Sequence, residues 1–146
     1  SGPVASALLR IAVSFGFSLV LCGEIEHAIA DRKYASLVEM DSAVPAAVDR
    51  YVVVATQGKG DVTTLTAALK MAARYIAFVG SRRKFASYED KLTNAGVSAA
   101  KIATVRSPAG VHINAVTPDE IALSIMAEII QTRRTGGQQR TTDDAC

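Results

Sequence analysis

The residues able to do chemistry lie in short segments that follow apolar runs. Gly80-Ser81-Arg82-Arg83-Lys84 comes directly after Tyr75-Ile76-Ala77-Phe78-Val79 and opens a more polar stretch. A helix N-terminus carries partial positive charge, so each cation there costs about 0.3–1 kcal/mol. Three adjacent cations are explained if an anion is held by the Ser81 hydroxyl, backbone N–H groups and Arg82. A serine cap with side chains turned to water is the plainer alternative. Thr56-Gln57-Gly58-Lys59-Gly60-Asp61 also follows an apolar run, Tyr51–Ala55. Gly58 and Gly60 permit close backbone approach, Thr56 and Lys59 offer a hydroxyl and a charge, and Asp61 can cap the next helix. No Gly-Lys-Ser/Thr occurs, so this is not a Walker loop. A glycine turn with an aspartate cap competes with a ligand loop.

Gly2-Pro3-Val4-Ala5 has the character of a helix start, with Gly2 near the cap and Pro3 at the first helical position. A dinucleotide fingerprint needs a strand and a leading glycine before such a start, and neither precedes it here. About twenty residues on, where that fingerprint expects a ribose-binding acid, stands Cys22-Gly23-Glu24. Glu24 is the available acid and Cys22 occupies the strand end. Cys22 could handle sulfur, but a small buried thiol is the default. The connection Arg106–Val116 is long and apolar, which suits coverage by the fold or by a ligand. It carries Gly110 and His112, and a lone histidine is more often structural than ligating.

The composition narrows the function. A chain of 146 residues, 49% apolar and 21% charged, suits one globular domain. A net charge of +2 without a basic stripe argues against nucleic acid. Cys22 and Cys146 form neither a disulfide framework nor a zinc pattern, His27 and His112 are far apart, and no metal site is expected. Reduced thiols point to the cytoplasm. Ile11–Cys22 is too short for a bilayer, and no signal peptide or membrane insertion is expected.

Periodicity supplies the elements that hold these segments. Helices are expected from Pro3 to Gly16, Val62 to Ala73, Arg82 to Asn94 and from Thr117, where Thr117-Pro118-Asp119-Glu120 forms a capping box. Strands are expected at Phe17–Cys22, Leu37–Met40, Tyr51–Ala55, Tyr75–Val79 and Ile102–Val105. Alternating strands and helices imply an α/β, doubly wound, mostly parallel Rossmann-like sheet with helices on both faces. Residues 1–132 form that domain and 133–146 a disordered tail.

In this order the segments resemble the C-terminal Rossmann domain of the XdhC/CoxI family of maturation proteins. The resemblance runs from Gly2 to about Ile130 and is most specific at Tyr75–Lys84. It continues through Lys91-Leu92, Ala95-Gly96-Val97, Ser107–Val111 and Thr117–Ile129. Thr56–Asp61 is similar to the family segment that precedes these. The family's N-terminal domain, with its cofactor-handling cysteine, has no counterpart here, and an acid often stands where this chain has Cys22. The resemblance implies an accessory protein, not an enzyme. It would bind molybdenum cofactor (molybdopterin) and protect it while a cysteine desulfurase system supplies the sulfido ligand. Delivery would be to a molybdenum hydroxylase apoenzyme of the xanthine or CO dehydrogenase kind, with a homodimer as the expected assembly. Two other readings stand beside it: a small NAD(P)-binding oxidoreductase, and a subunit-interaction domain that pairs through a sheet edge.

Overall fold

A computed structural model describes residues 2–23, 30–45 and 47–135. Helix α1 (Pro3–Ala12) passes through a short 3₁₀ turn, Val13–Phe15, into strand β1 (Val20–Cys22). Strand β2 (Arg32–Tyr34), helix α2 (Leu37–Ala43), strand β3 (Tyr51–Val54), helix α3 (Asp61–Lys70) and strand β4 (Tyr75–Phe78) follow. Four helices complete the order: α4 (Arg82–Ala86), α5 (Glu89–Asn94), α6 (Ala99–Ile102) and α7 (Pro118–Thr135).

Every strand pair is parallel. β1 pairs with β2, Leu21 opposite Lys33, and β3 pairs with β4, Val53 opposite Ala77. A single parallel bridge joins Ala77 to Arg106 on the far edge of β4. Among the described residues β1–β2 and β3–β4 are separate pairs, with no ladder from β1 to β3.

The alternation of side chains along β3 and β4 builds two cores, one on each face. Val54, Ile76 and Phe78 face Leu65 and Leu69 of α3, Phe85, Leu92 of α5 and Ile102 of α6. Tyr75 and Ala77 face the other way, onto Leu9 and Ala12 of α1 and Ile125, Met126 and Ile129 of α7. Leu19 and Leu21 join that second core. Both faces of the central strands are therefore apolar, as parallel sheets require. The doubly wound α/β layout with helices on both faces is the one the sequence implies.

Local elements differ from expectation at several points. Leu37–Met40 is not a strand but the start of α2, because Ser36 caps it by accepting from Glu39 N. Ile102–Val105 is not a strand either. Ser98 caps α6, which ends at Ile102, and sheet pairing is deferred to Arg106. The helix expected over Arg82–Asn94 is two, divided at Ser87 and Tyr88. The strand expected from Phe17 begins at Val20, and β2 had no apolar run to announce it. Thr117 and Glu120 form the expected reciprocal cap, Thr117 Oγ1 accepting from Glu120 N at 3.2 Å and Glu120 Oε1 from Thr117 N at 3.0 Å. Helix α7 runs on to Thr135; the tail beyond it, with Cys146, lies outside the described residues.

Candidate functional site

The carboxyl end of β3 meets the N-terminus of α1. Gly2 is the N-cap of that ten-residue helix, no side chain caps it, and its first turn holds no acid. Backbone N–H groups in a first turn have no partner within their own helix. A Cβ on Gly2 would come within 2.7 Å of Gln57 Nε2, so the helix start abuts the loop that leaves β3. In that loop Gln57, Gly58 and Gly60 all have positive φ, 54°, 85° and 70°. The left-handed turns bring the backbone back on itself, with Lys59 N donating to Thr56 O at 3.1 Å. The Lys59 side chain stands exposed beside it.

Asp61 fixes this loop from beneath. It is the first residue of α3, not its cap, and its carboxylate turns back into the loop. Thr56 Oγ1 and Gly58 N donate to Oδ1, and Tyr88 OH donates to Oδ2 at 2.6 Å. Lys84 Nζ lies 3.6 Å from Oδ2. Burial opposes ionisation of Asp61, which is 3% exposed. The donated hydrogen bonds of Thr56, Tyr88 and Gly58 and the Lys84 charge outweigh it, so the carboxyl titrates below its ordinary value.

The Gly80–Lys84 segment is organised differently from an anion cradle. Ser81 Oγ accepts from Lys84 N at 3.0 Å, capping a helix only five residues long. Lys84 is turned to Asp61, while Arg82 and Arg83 are exposed. Gly80 has a packing role, since a Cβ there would lie 2.3 Å from the Phe78 ring.

The expected site residues therefore separate. Gly2, Thr56, Gly58, Lys59 and Asp61 gather at the carboxyl end of β3. Arg82, Gly110 and His112 line a different cavity of about 740 Å³ on the outer edge of β4. At Gly110, φ is +100° and a Cβ would meet Ser124 Oγ at 2.2 Å, so glycine lets this loop rest on α7. Cys22 ends β1, and burial and then the Glu39 charge push its thiol up to about 11. Glu24 and His27 lie outside the described residues. Among the described residues no group of three His, Cys, Asp or Glu side chains could hold a metal ion, and no helix is long and apolar enough to cross a membrane.

Residues given no site role in the sequence complete both places. Gln57 and Tyr88 complete the loop; Tyr75, Arg106 and Glu128 complete the edge cavity. Glu128, a carboxylate on the mostly apolar α7, was the one visible signal among them.

Comparison with known proteins follows this geometry. The model of the XdhC Rossmann domain matches residues 1–129. "Uncharacterized protein YqeB" of Escherichia coli (strain K12) is 27% identical over 142 residues, which cover 91% of this chain and 26% of that protein. A crystal structure described as a xanthine dehydrogenase from Bacillus halodurans superposes with a TM-score of 0.68 at 24% identity, over 99% of this chain and 44% of that one. The chain thus spans well under two thirds of both relatives.

Proposed function

Because the match covers nearly all its described residues, the chain belongs to the XdhC Rossmann-domain family, and we propose that it serves in the maturation of a molybdenum hydroxylase of the xanthine or CO dehydrogenase kind. In this reading it is an accessory protein, not a catalyst. It binds molybdenum cofactor and aids its sulfuration or its insertion into the apoenzyme. The apoenzyme and a cysteine desulfurase system are its partners, the cytoplasm is its compartment, and the edges of β1 and β3 that lack a ladder partner among the described residues suit pairing of two copies.

One observation carries this reading: the uncapped start of α1 abuts the Gln57–Gly60 loop at the carboxyl end of a parallel strand. A helix start at the carboxyl end of a parallel strand is where open α/β sheets take anionic ligands. Molybdopterin carries a phosphate, and the residues present fit it. The first-turn amides of α1 supply donors, that turn holds no acid, and Lys59 offers an exposed cation. Asp61 does not touch the ligand; it holds the loop in shape through Thr56 and Gly58. The contact expected at Ser81 moves to α1, because the Ser81 hydroxyl is engaged by Lys84 N. When bound, the cofactor brings the molybdenum redox chemistry of the client enzyme, and this chain's residues bind and orient it. With its thiol pushed up to about 11 by burial and then the Glu39 charge, Cys22 is mostly protonated at neutral pH and poorly suited to carry sulfur.

The test is equilibrium dialysis of the purified chain with molybdenum cofactor, with NADPH in a parallel cell. Saturable micromolar binding of the cofactor is the expected result. Binding of NADPH without the cofactor would replace this reading with the oxidoreductase one, since a pyrophosphate fits the same helix start.

A further inference from the structure

The cavity on the outer edge of β4 lies apart from the α1 crevice and has its own chemistry. Ile76, Val105 and Pro108 give it an apolar wall, and Arg74, Arg82 and Arg106 open onto it. Arg74 is committed, paired with Asp49 at 3.1 Å and reaching Thr132 O at 3.4 Å. Arg82 and Arg106 have no ion-pair partner among the described residues. Glu128 is the one carboxylate in the lining, and it is engaged. Its Oε1 accepts from Tyr75 OH at 2.6 Å and from Gly110 N at 3.0 Å. Burial, and then that hydrogen bond, push the Tyr75 hydroxyl far up, so it stays a donor to Glu128.

Ser107 also belongs to the lining. Its Oγ is buried and has no hydrogen-bond partner among the described residues. Two guanidiniums without ion-pair partners, each a planar fork of donors, suit a phosphate or a carboxylate, and the higher charge of a phosphate suits the pair. A cavity of about 740 Å³ falls within the size range of small-molecule sites, roughly 300–1,000 Å³.

We propose that this edge cavity is a second ligand site, which takes a small organic phosphate of mononucleotide size. Its phosphate lies between Arg82 and Arg106 and its body lies against Ile76 and Pro108. The site is separate from the cofactor crevice, and it stands or falls independently of the maturation role.

The experiment is amide-resolved NMR titration of the full ¹⁵N-labelled chain with AMP, adenosine and inorganic phosphate. AMP is expected to shift the amides of Val105–Gly110 saturably, whether or not Gly58–Asp61 also respond. Adenosine and phosphate should each bind at least tenfold more weakly. Arg82→Ala and Arg106→Ala should each weaken AMP at least tenfold, with Arg106→Lys recovering part of the loss. The unchanged amide spectrum away from the cavity reports that each variant is folded. No saturable shift at Val105–Gly110 with millimolar AMP would overturn the proposal. So would equal affinity in the Arg82→Ala/Arg106→Ala double variant, shifts confined to Gly58–Asp61, or phosphate binding as tightly as AMP. Failure of molybdenum cofactor to bind would leave these shifts untouched.

Discussion

Tyr88 donates its hydroxyl hydrogen bond to Asp61 at 2.6 Å, and this contact ties the start of α5 to the loop leaving β3. Two helices and a glycine loop thereby share one buried carboxylate. The loop that abuts α1 is held in shape through this carboxylate.

Removing that carboxylate leaves Thr56, Gly58 and Tyr88 without their acceptor. Asp61→Ala is expected to lower the free energy of unfolding by about 2–4 kcal/mol, since each stranded donor costs about 1–3 kcal/mol and Tyr88 retains access to water. Urea unfolding followed by circular dichroism measures this. A loss below about 0.5 kcal/mol would mean the network is not holding the loop.

The same carboxylate makes the fold acid-sensitive. Its folded pKa is lowered from an ordinary value of 3.8, so its stabilisation is present above that value and is lost as pH falls through the folded one. Glu120 adds to the effect in the same direction, held down by the amide of Thr117 and then that of Val116. Melting temperature should therefore fall as pH drops below about 4, and Asp61→Asn should flatten part of that slope. Identical slopes in the two proteins would remove Asp61 from the explanation.

Gly110 rests on α7 so closely that any side chain must displace something. Gly110→Ala brings a Cβ to 2.2 Å from Ser124 Oγ and 3.0 Å from Ile125 N, at a φ of +100°. A loss of about 2–3 kcal/mol is expected from overpacking and the backbone conformation together. Adding Ser124→Ala should restore only part of it, because the Ile125 backbone remains. Full restoration in the double variant would place the whole cost on the serine.

Cys22 should be a slow thiol. With its pKa pushed up to about 11 from an ordinary 9.0, its thiolate fraction at neutral pH is roughly a hundredfold below that of an unperturbed cysteine. In a Cys146→Ser background, iodoacetamide labelling at pH 7.5 should be slower than in the unfolded chain by about that factor. Equal rates would put a reactive thiol at the end of β1.

The sequence revealed those features whose signals are local. Tyr51–Val54 and Tyr75–Phe78 are apolar on both faces, which only a covered parallel strand explains, and Thr117 with Glu120 announces α7 through a cap written in four residues. Leu37–Met40 misleads because so short an apolar run suits a strand or a helix; the Ser36 cap decides it. Ile102–Val105 misleads because β-branched residues sit at the end of a one-turn helix before the chain reaches Arg106. The glycine loop was legible as a loop, but not the fate of its charges. Lys84 follows Gly80 in sequence yet turns to Asp61, and that pairing forms only once β3 and β4 lie side by side. The edge cavity joins residues from Arg74 to Glu128, a span no local pattern reports.

The central claim is that the start of α1 holds the anionic part of the bound cofactor. Ala5 is the third residue of α1, where a glutamate folds back onto the helix start and competes with an anion for the same amides. The direct measurement is the affinity of wild type and Ala5→Glu for molybdenum cofactor, alongside their melting temperatures. Cofactor binding weakened at least tenfold, with stability equal or raised, is the predicted result. Unchanged affinity in a folded Ala5→Glu protein would contradict the account.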